Sequence, residues 1–459
     1  MEWIIAILIV AAALWLVFFR PAWLLDYAIA VLAFNRGLRR IVDYYFNGAF
    51  NPLSPISLTP LLVAGLLAIP ALTHLRRLKG EARSPFVMLA LAIGLGFAVG
   101  IVLNRFQAVY SLAEWIAALA AMAFAATFPA NSQTADRWIK SAGWAALGVA
   151  GYGWWQYFTI PPWDAMWLVQ SGMVGYMGLP EPTQMTVFST LNERGPCGTF
   201  MAWAVIPMIL NSRWRNAGGW ISVGILLATI FLTGTRSNFV IIAVVSIVYP
   251  ALSGGRGLLG LVVTSAIVVL GLSYGIEKIP GSDRFAERFR ADSFYGEDSS
   301  LTGRLEIYQR GLPWVAATPL GLGLGSSGMA GRVESHETSG MGDCGYVQIF
   351  SQFGWLGGFL FYAALWRVWK ELSLRWKVSS ALFGAGNVDP FVIAARALLI
   401  GAFVFLFVGD IFAGFSLVWV ILGRSMNPRA DSIPFIRQRL HARDLGKHAS
   451  PLGEPVTSS

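Results

Sequence analysis

The chain has 459 residues, of which 56% are hydrophobic and only 13% are charged, and its net charge is +9. Soluble domains carry about 25% charged residues, so the composition excludes an ordinary soluble protein and predicts an all-α, polytopic transmembrane helical bundle. The excess of Lys and Arg does not indicate nucleic-acid binding, because these residues cluster in short segments between apolar runs. The two cysteines do not have the spacing of a zinc site.

Apolar stretches of about 20 residues have the length that a bilayer-crossing helix needs. We predict about a dozen spans, at residues 3–19, 54–73, 84–104, 108–128, 141–157, 195–212, 216–235, 237–255, 257–276, 344–366, 391–409 and 411–423. The first lacks a basic n-region and a cleavage site, so we interpret it as a retained anchor. Residues 1–423 are then one transmembrane domain, and 424–459 a basic cytoplasmic tail predicted to be disordered.

Residues 21–51 are ambiguous, because this stretch is apolar but carries Arg36, Arg39 and Arg40. It fits either a further span or an amphipathic helix lying at the membrane interface. The even number of spans, with both termini cytoplasmic, favours the interfacial position.

The segments between the spans predict which side of the membrane each one faces. Basic residues cluster at 76–83, 137–140, 213–215, 256, 367–377 and 424–447. Counting spans places all these clusters on one side, which the positive-inside rule identifies as cytoplasmic. The opposite side then holds a first outer loop at 158–194 and a main outer loop at 277–343. We expect the main loop to be partly helical, around residues 304–314.

The strongest candidate for function is the segment Thr233-Gly234-Thr235-Arg236-Ser237-Asn238. Arg236 is the one charge in about 40 apolar residues and falls at the outer tip of a helical hairpin, against the positive-inside bias. It could be an arginine that merely snorkels to the interface. An arginine so placed is by default a functional candidate, and Ser237 and Asn238 add donors at a helix start.

The main outer loop holds further candidates. In a helix that starts near residue 301, Arg304, Tyr308 and Trp314 would fall near one face, either as a second anion clamp or as part of an ordinary solvated helix with an Arg304–Tyr308 contact. The glycine-rich stretch 319–328 could let the backbone approach a phosphate, although a flexible turn is the interpretation that the stretch by itself favours. His336 and Asp343 could each take a proton from a hydroxyl group, or could be a solvated loop histidine and a helix cap.

Glu193 and Arg194 lie on the same outer side, directly before the span at 195–212, and could pair with each other. Glu114 and Asp410 fall near the outer ends of their spans. A charge at such a depth is costly unless it faces a polar cavity.

Four of these segments together resemble the O-antigen ligase and polymerase family of bacterial membrane glycosyltransferases, over about residues 186–366. They are Phe188-Ser189-Thr190-Leu191-Asn192, the Gly-Thr-Arg-Ser hairpin tip, Arg304 at a loop-helix start, and 319–325 followed by Gly345-Tyr346-Val347-Gln348 and Gly354-Trp355-Leu356-Gly357. The order of the segments and their common side of the membrane carry the resemblance.

The resemblance implies a GT-C-like membrane fold in the bacterial inner membrane, with the active site facing the periplasm. The donor would be a glycan on undecaprenyl pyrophosphate, transferred to a hydroxyl of a glycan or lipid-linked acceptor without metal or cofactor. By the same analogy, Arg236 and Arg304 would bind the pyrophosphate. Glu193, Arg194, Glu306, Arg310 and Tyr346 are additional candidates, and other polysaccharide assembly or export proteins are candidate partners.

One departure from the family pattern concerns the catalytic base. Ligases of this family typically carry a histidine where this chain has Asp343-Cys344. Asp343 or His336 could replace it, and the difference favours a polymerase of exopolysaccharide or O-antigen over a lipopolysaccharide ligase. A transporter or flippase and an inactive assembly scaffold are the other classes considered. A transporter typically shows repeated halves with broken helices at the midplane, and we find no such repeat.

Overall fold

The computed structural model describes residues 1–78, 80–253, 280–281, 299–327, 344–384, 388–409, 412 and 414–427. Within these residues the chain is helical, and the nearest approach to a sheet is one isolated bridge between Gly178 and Met185. The helices are α1 Glu2–Phe19, α2 Leu24–Val42, α3 Thr59–Leu66, α4 Ala68–His74, α5 Ser84–Leu103, α6 Arg105–Thr127, α7 Ser132–Thr159, α8 Pro162–Gln170, α9 Val174–Met177, α10 Arg194–Leu210, α11 Gly219–Leu232, α12 Arg236–Leu252, α13 Ser299–Ala317, α14 Gly345–Phe383, α15 Pro390–Phe405 and α16 Leu417–Met426.

Five helical segments of the described chain are long and apolar enough to cross a membrane. They are Glu2–Phe19, Pro55–His74, Ser84–Leu103, Arg105–Thr127 and Gly345–Leu382. Four shorter apolar helices, α11, α12, α15 and α16, are also present; α15 packs against α14, and α16 packs against α6. The predicted span at 257–276 lies outside the described residues. The helical bundle is therefore confirmed, while the predicted number of spans stays a prediction.

The helices of the second half differ from the predicted spans at their ends. Helix α14 runs on to Phe383, so the basic stretch at 367–377, predicted as a loop, is helical. The last helix starts at Leu417 and ends at Met426, which includes the first residues of the predicted tail. Arg424 is buried there, with its guanidinium over the ring of Phe391 at 5.3 Å. Hydropathy misplaced these ends because helix packing can shelter an arginine that a lipid-facing helix could not carry.

The predicted basic segments meet at one end of the bundle, which we call the basic end. Arg137 of α7 pairs with Asp26 of α2 at 3.0 Å. Arg375 of α14 donates to the carbonyl oxygens of residues 425–427, and Trp376 donates to that of Leu252. These contacts involve five helices: they join α7 to α2, and α14 to the last residues of α12 and α16, in agreement with the predicted clustering of the basic segments.

The opposite end, which we call the site end, holds the start of the chain. The carboxylate of Glu2 accepts hydrogen bonds from the amides of Asn47 and Asn51, beyond the end of α2. The backbone N–H of Phe50 in turn donates to Gln170 of α8 at 2.5 Å. The prediction that both termini share the basic end is therefore wrong. Helix α2 was left out of the count of spans, and adding it reverses the direction of α1.

Helix α2 packs inside the bundle against α1, α3 and α7. Buried residues lie all around it, including Asn35, Arg39 and Arg40. A helix on the membrane surface would keep its polar face in water, so the interfacial position favoured above is not the one observed. The arginines are accommodated because α2 has carboxylates and carbonyl groups as neighbours instead of lipid.

The glycine-rich segment 319–327 is a non-helical insertion between α5 and α14, exposed at residues 319–320 and buried from Gly323 to Ser327. The backbone N–H of Leu324 donates to Gly96 of α5, and that of Leu322 to Ser351 of α14. Asn104 donates to the carbonyl oxygens of Leu322 and Leu324. Such backbone is tolerated inside an apolar bundle only when its polar groups are bonded within the protein.

The glycines of this segment serve packing. Gly321, Gly323 and Gly325 all have positive φ angles, and a Cβ on Gly323 would overlap the backbone of Gly100. Glycine alone permits both the conformation and the approach. The segment is thus neither a flexible turn nor a phosphate loop open to a ligand, the two interpretations that the sequence left open.

Candidate functional site

Arg236 is the first residue of α12 and lies at the site end, at the tip of the α11–α12 hairpin. Gly234 makes the turn with φ +67°, and Thr235 precedes the helix without capping it through its side chain. The N–H groups of a first helical turn lack partners within the helix and favour an anion. Arg236 and Ser237 are partly exposed, so this tip combines a guanidinium, a hydroxyl and helical N–H groups on an accessible surface.

Asn238 does not have the predicted role of donor to an anion. Its side chain is 1% exposed, donates to Thr235 Oγ1 at 2.7 Å and accepts from Thr199 Oγ1 of α10 at 3.2 Å. Thr235 is also hydrogen-bonded to Thr233. The side chains of Thr233, Thr235 and Asn238 are thus linked by hydrogen bonds to one another and to Thr199. Asn238 therefore fixes the hairpin tip against α10.

The tip can approach α10 because residue 198 is a glycine. A Cβ on Gly198 would lie within 3.0 Å of the side chains of Asn238, Thr235 and Thr233. Gly198 is one turn from Arg194 at the start of α10, so this contact sets the distance between Arg194 and the tip that carries Arg236.

We expect Gly198→Ala to displace the hairpin tip, because the added methyl group meets three polar atoms that are already bonded to one another. Overpacking of this kind costs about 1–3 kcal/mol. Thermal unfolding in detergent and glycan transfer should both fall in the variant. Gly195→Ala is the matched control, since a Cβ there has nothing within 4 Å. Equal behaviour of the two variants would show that the contact does not hold the tip.

Arg304 lies on α13, which confirms the predicted helix around 304–314. Its Nε atom is buried and has no hydrogen-bond partner among the described residues. The carbonyl oxygen of Arg304 faces Cys344 Sγ at 3.9 Å, and Gly311 packs against Val347 of α14. Helix α13 thus holds an arginine with an unsatisfied donor against the start of α14.

Tyr308, one turn beyond Arg304, ties α13 to α15. Its hydroxyl donates to the carbonyl oxygens of Leu406 and Phe407 at 3.4 and 3.2 Å, and burial raises the pKa of this hydroxyl. Tyr346 donates to the carbonyl oxygen of Phe403 at 2.8 Å and stacks with Tyr362. Tyr346 therefore has a packing role in the described structure.

Helix α15 is the wall that connects Arg236 with Arg304. Gly401 of α15 packs against Ile241 and Val245 of the antiparallel helix α12. From this contact, Arg236 and Leu406 are each five residues along their helices toward the site end, about 7.5 Å at 1.5 Å per residue. Because Tyr308 binds Leu406, the fold brings the two predicted arginines to the same end of the same wall.

A second group of charges lies nearby at the same end, and sequence reasoning recognised it only in part. Tyr110 of α6 lies within electrostatic range of Glu114 on the same helix, of Arg36 of α2 and of Glu193. Arg36 donates to the carbonyl oxygen of Leu191 at 3.2 Å. Four ionisable groups from three separate parts of the chain therefore meet beside the start of α10.

Arg194 begins α10 and lies over the ring of Tyr176, with 4.0 Å from its Cζ to the ring centroid. Its Nη1 atom is buried without a hydrogen-bond partner among the described residues. A cation over an aromatic face is partly stabilised, but the ring does not satisfy an N–H donor. Arg194 is thus a second arginine at the site end with capacity for an anion.

The loop before α10 is held by a buried ion pair that sequence reasoning missed. Arg40 Nε lies 2.8 Å from Asp164 Oδ1, and both side chains are fully buried. Arg40 also donates to Asn192 Oδ1 at 3.0 Å and to the carbonyl oxygen of Ser189. The two residues are 124 positions apart in the chain, so their pairing could not be predicted from sequence. The sequence shows only that each is a charged residue in an apolar stretch.

The rest of the Asp164 environment completes this network. Tyr152 and Gln156 donate to Asp164 Oδ2 at 2.9 and 2.6 Å. Gln156 also accepts from the backbone N–H of Ser189 at 2.8 Å. Ser189 and Asn192 have φ angles of +48° and +65°, which non-glycine residues rarely adopt. The network therefore holds a strained loop that positions Glu193 and Arg194.

Two predicted residues, Glu306 and Arg310, pair in solvent at the site end. They lie 2.5 Å apart with side chains 53% and 79% exposed, so the pair is an ordinary surface contact on α13. The two predicted proton acceptors, His336 and Asp343, lie outside the described residues. No group of three or more His, Cys, Asp or Glu side chains that could hold a metal occurs in the described part. Cys197 and Cys344 are both buried and are not joined to each other in a disulfide.

The fold and the site define a helical membrane protein with arginines gathered at one end of its bundle. Residues 221–362 match the model of the O-antigen ligase family, which confirms the predicted resemblance over this part of the chain. The match covers less than one third of the chain, from α11 into α14, and includes Arg236 and Arg304. Neither the curated proteins nor the solved structures include a match.

This match, with the apolar helices, indicates an enzyme of the inner membrane that acts in ligation or polymerisation of O-antigen. A lipid-linked glycan donor and an acceptor follow from that family. The loop of residues 188–192, which contributed to the resemblance, lies before the matched region.

Proposed function

We propose that the protein transfers a glycan from undecaprenyl pyrophosphate to an acceptor hydroxyl at the outer face of the inner membrane, and that it acts chiefly as a polymerase. The observation that carries the proposal is the shared position of Arg236 and Arg304 at the site end, within the matched domain. Ligation to a lipopolysaccharide core is the alternative outcome.

The two arginines suit a pyrophosphate because a guanidinium binds phosphate oxygens through two parallel N–H groups. Arg304 has a buried Nε without a partner in the described chain, and Arg236 adds a positive charge beside helical N–H groups. Ser237 supplies a further donor on the same first turn of α12. We propose that these groups bind the donor pyrophosphate.

In the proposed reaction, the acceptor hydroxyl oxygen attacks the anomeric carbon of the donor. The bond from that carbon to the pyrophosphate oxygen breaks, and the lipid pyrophosphate leaves with the bonding electrons. The hydroxyl proton passes to a base, for which Asp343 and His336 are the candidates. The arginines stabilise the negative charge that grows on the leaving group. No metal enters this scheme, since the guanidinium groups supply the positive charge.

The reaction can be tested with purified protein in vesicles, a lipid-pyrophosphate oligosaccharide and either a second donor or a lipopolysaccharide core as acceptor. Release of lipid pyrophosphate with a lengthened glycan supports a polymerase, and a glycosylated core supports a ligase. Movement of an intact donor across the vesicle, without cleavage, would identify a flippase. If the donor is neither cleaved nor moved, the result supports a scaffold and rejects the proposed enzyme.

For the base, we expect Asp343→Asn or His336→Ala to reduce the transfer rate by about 10²-fold or more, as for other general bases. The rate should be measured at saturating donor, with thermal unfolding as the check of folding. Gln309→Ala, on the exposed face of α13, is the control variant. Ser327→Ala would not serve as a control, because Ser327 accepts a hydrogen bond from Gln352. Full activity in both variants would exclude both residues as the base.

A further inference from the structure

At the basic end, far from the proposed active site, Arg396 of α15 is inserted between two tryptophan rings of α14. Its Cζ lies 4.9 Å from the ring centroid of Trp369 and 4.7 Å from that of Trp376. The two tryptophans are seven residues apart and so lie on one face of the helix, two turns from each other. Trp376 is fixed from behind by its hydrogen bond to the carbonyl oxygen of Leu252.

Arg396 is buried, with 8% of its surface exposed. Its Nε and Nη1 atoms nevertheless have no hydrogen-bond partner among the described residues. Two other arginines of this end, Arg375 and Arg137, have hydrogen-bonding partners. Arg375 binds Glu371 and three backbone carbonyl groups, and Arg137 binds Asp26. Two aromatic faces offset only part of the cost of removing a guanidinium from water, because they accept none of its in-plane hydrogen bonds.

The surroundings favour an anion over a neutral partner. Each tryptophan is followed by an exposed lysine, Lys370 and Lys377, and Arg367 is exposed on the same helix. Lys370 Nζ lies 5.6 Å from the ring of Trp366, which keeps the ammonium group beside this aromatic surface.

We propose that Arg396, with Trp369 and Trp376 as walls and Lys370 and Lys377 at the rim, binds the phosphate of an anionic ligand. The planar guanidinium offers two donors in the geometry that a phosphate accepts. The phosphate could belong to an anionic lipid headgroup or be free inorganic phosphate. Indole rings and a row of basic side chains at a bundle end are typical of lipid headgroup contacts. The site does not depend on the proposed transferase activity.

The test uses the full-length protein, purified and delipidated in neutral detergent. Its thermal unfolding is followed while phosphatidylglycerol, phosphatidylcholine or inorganic phosphate is added. We expect phosphatidylglycerol to stabilise the wild type at concentrations where phosphatidylcholine does not. Arg396→Gln should weaken this apparent affinity about tenfold or more, as expected for the loss of charge-assisted hydrogen bonds. Arg213→Gln, at an exposed arginine of the same end, should keep it.

Equal stabilisation of the wild type and Arg396→Gln by phosphatidylglycerol would overturn the proposal, as would equal effects of the two lipids on the wild type. Stabilisation by inorganic phosphate that is lost in Arg396→Gln would support the anion site and identify the free ion as its ligand. If Arg396→Gln does not fold, the double variant Lys370→Gln, Lys377→Gln is used to test the site instead. These two lysines are exposed, and an unchanged phosphatidylglycerol affinity in that double variant would also overturn the site.

Discussion

Arg236→Ala is expected to abolish most of the glycan transfer while the protein still folds. The side chain is partly exposed at the hairpin tip, so its removal leaves no buried cavity. Removing one donor that stabilises charge in a transition state typically costs about 10²–10³-fold in rate. Arg236→Lys should recover only part of the activity, because an ammonium group keeps the charge but not the paired N–H groups.

The measurement is the length distribution of the surface polysaccharide, together with the rate of lipid pyrophosphate release in vesicles. Arg304→Ala should have an effect of the same order. The double variant should be less impaired than the product of the two single effects if both arginines bind one pyrophosphate. Arg20→Ala, at the exposed end of α1 on the basic end, is the matched control. A normal polysaccharide in Arg236→Ala at equal protein level would reject the proposed role.

Asp164→Asn is expected to destabilise the protein strongly, because it leaves Arg40 buried without its counter-charge. Breaking a buried ion pair by removing one partner costs about 3–5 kcal/mol. Burial raises the pKa of Asp164 while Arg40 acts in the opposite direction, so each charge depends on the other for its place in the core. The midpoint of thermal or denaturant unfolding in detergent measures the effect.

Two comparisons sharpen this experiment. Glu306→Gln removes a carboxylate from the exposed pair with Arg310, and such a pair is worth about 0–1 kcal/mol. Arg40→Met combined with Asp164→Leu removes both charges and should recover part of the stability lost by either single change. If Asp164→Asn unfolds no earlier than Glu306→Gln, the pair does not hold the loop. Transfer should also fall in Asp164→Asn, because Ser189 and Asn192 position Arg194.

Local pattern was sufficient for the helices whose surroundings are uniform. A run of apolar residues predicts a lipid-length helix wherever all faces meet apolar neighbours, as in α1, α5 and α6. It failed for α2, where Arg39 and Arg40 mimic a surface helix, and for α14, where basic residues mimic a loop. Partners from distant segments bind Arg40 of α2 and Arg375 of α14, and a local window contains no information about those partners.

The candidate site divides in the same way. Arg236 and Arg304 could be found from sequence, because an arginine at an outer helix end or loop-helix start departs from the positive-inside pattern. Arg40 and Asp164 could not be paired, and Asn238 was misjudged as a ligand donor. Its amide N–H donates to Thr235, and its amide oxygen accepts from Thr199, which is 39 residues away on another helix.

The sequence by itself determined the class of molecule, the basic end and the two arginines of the matched domain, because composition, spacing and charge asymmetry are properties of the chain. Only the tertiary structure decided that α2 packs in the core and that the glycine-rich segment 319–327 fills the space between α5 and α14. It alone also placed Arg396 between two tryptophans. The physical reason is that the cost of burying a charge or a polar backbone group depends on the partner it meets, and only packing brings distant partners together.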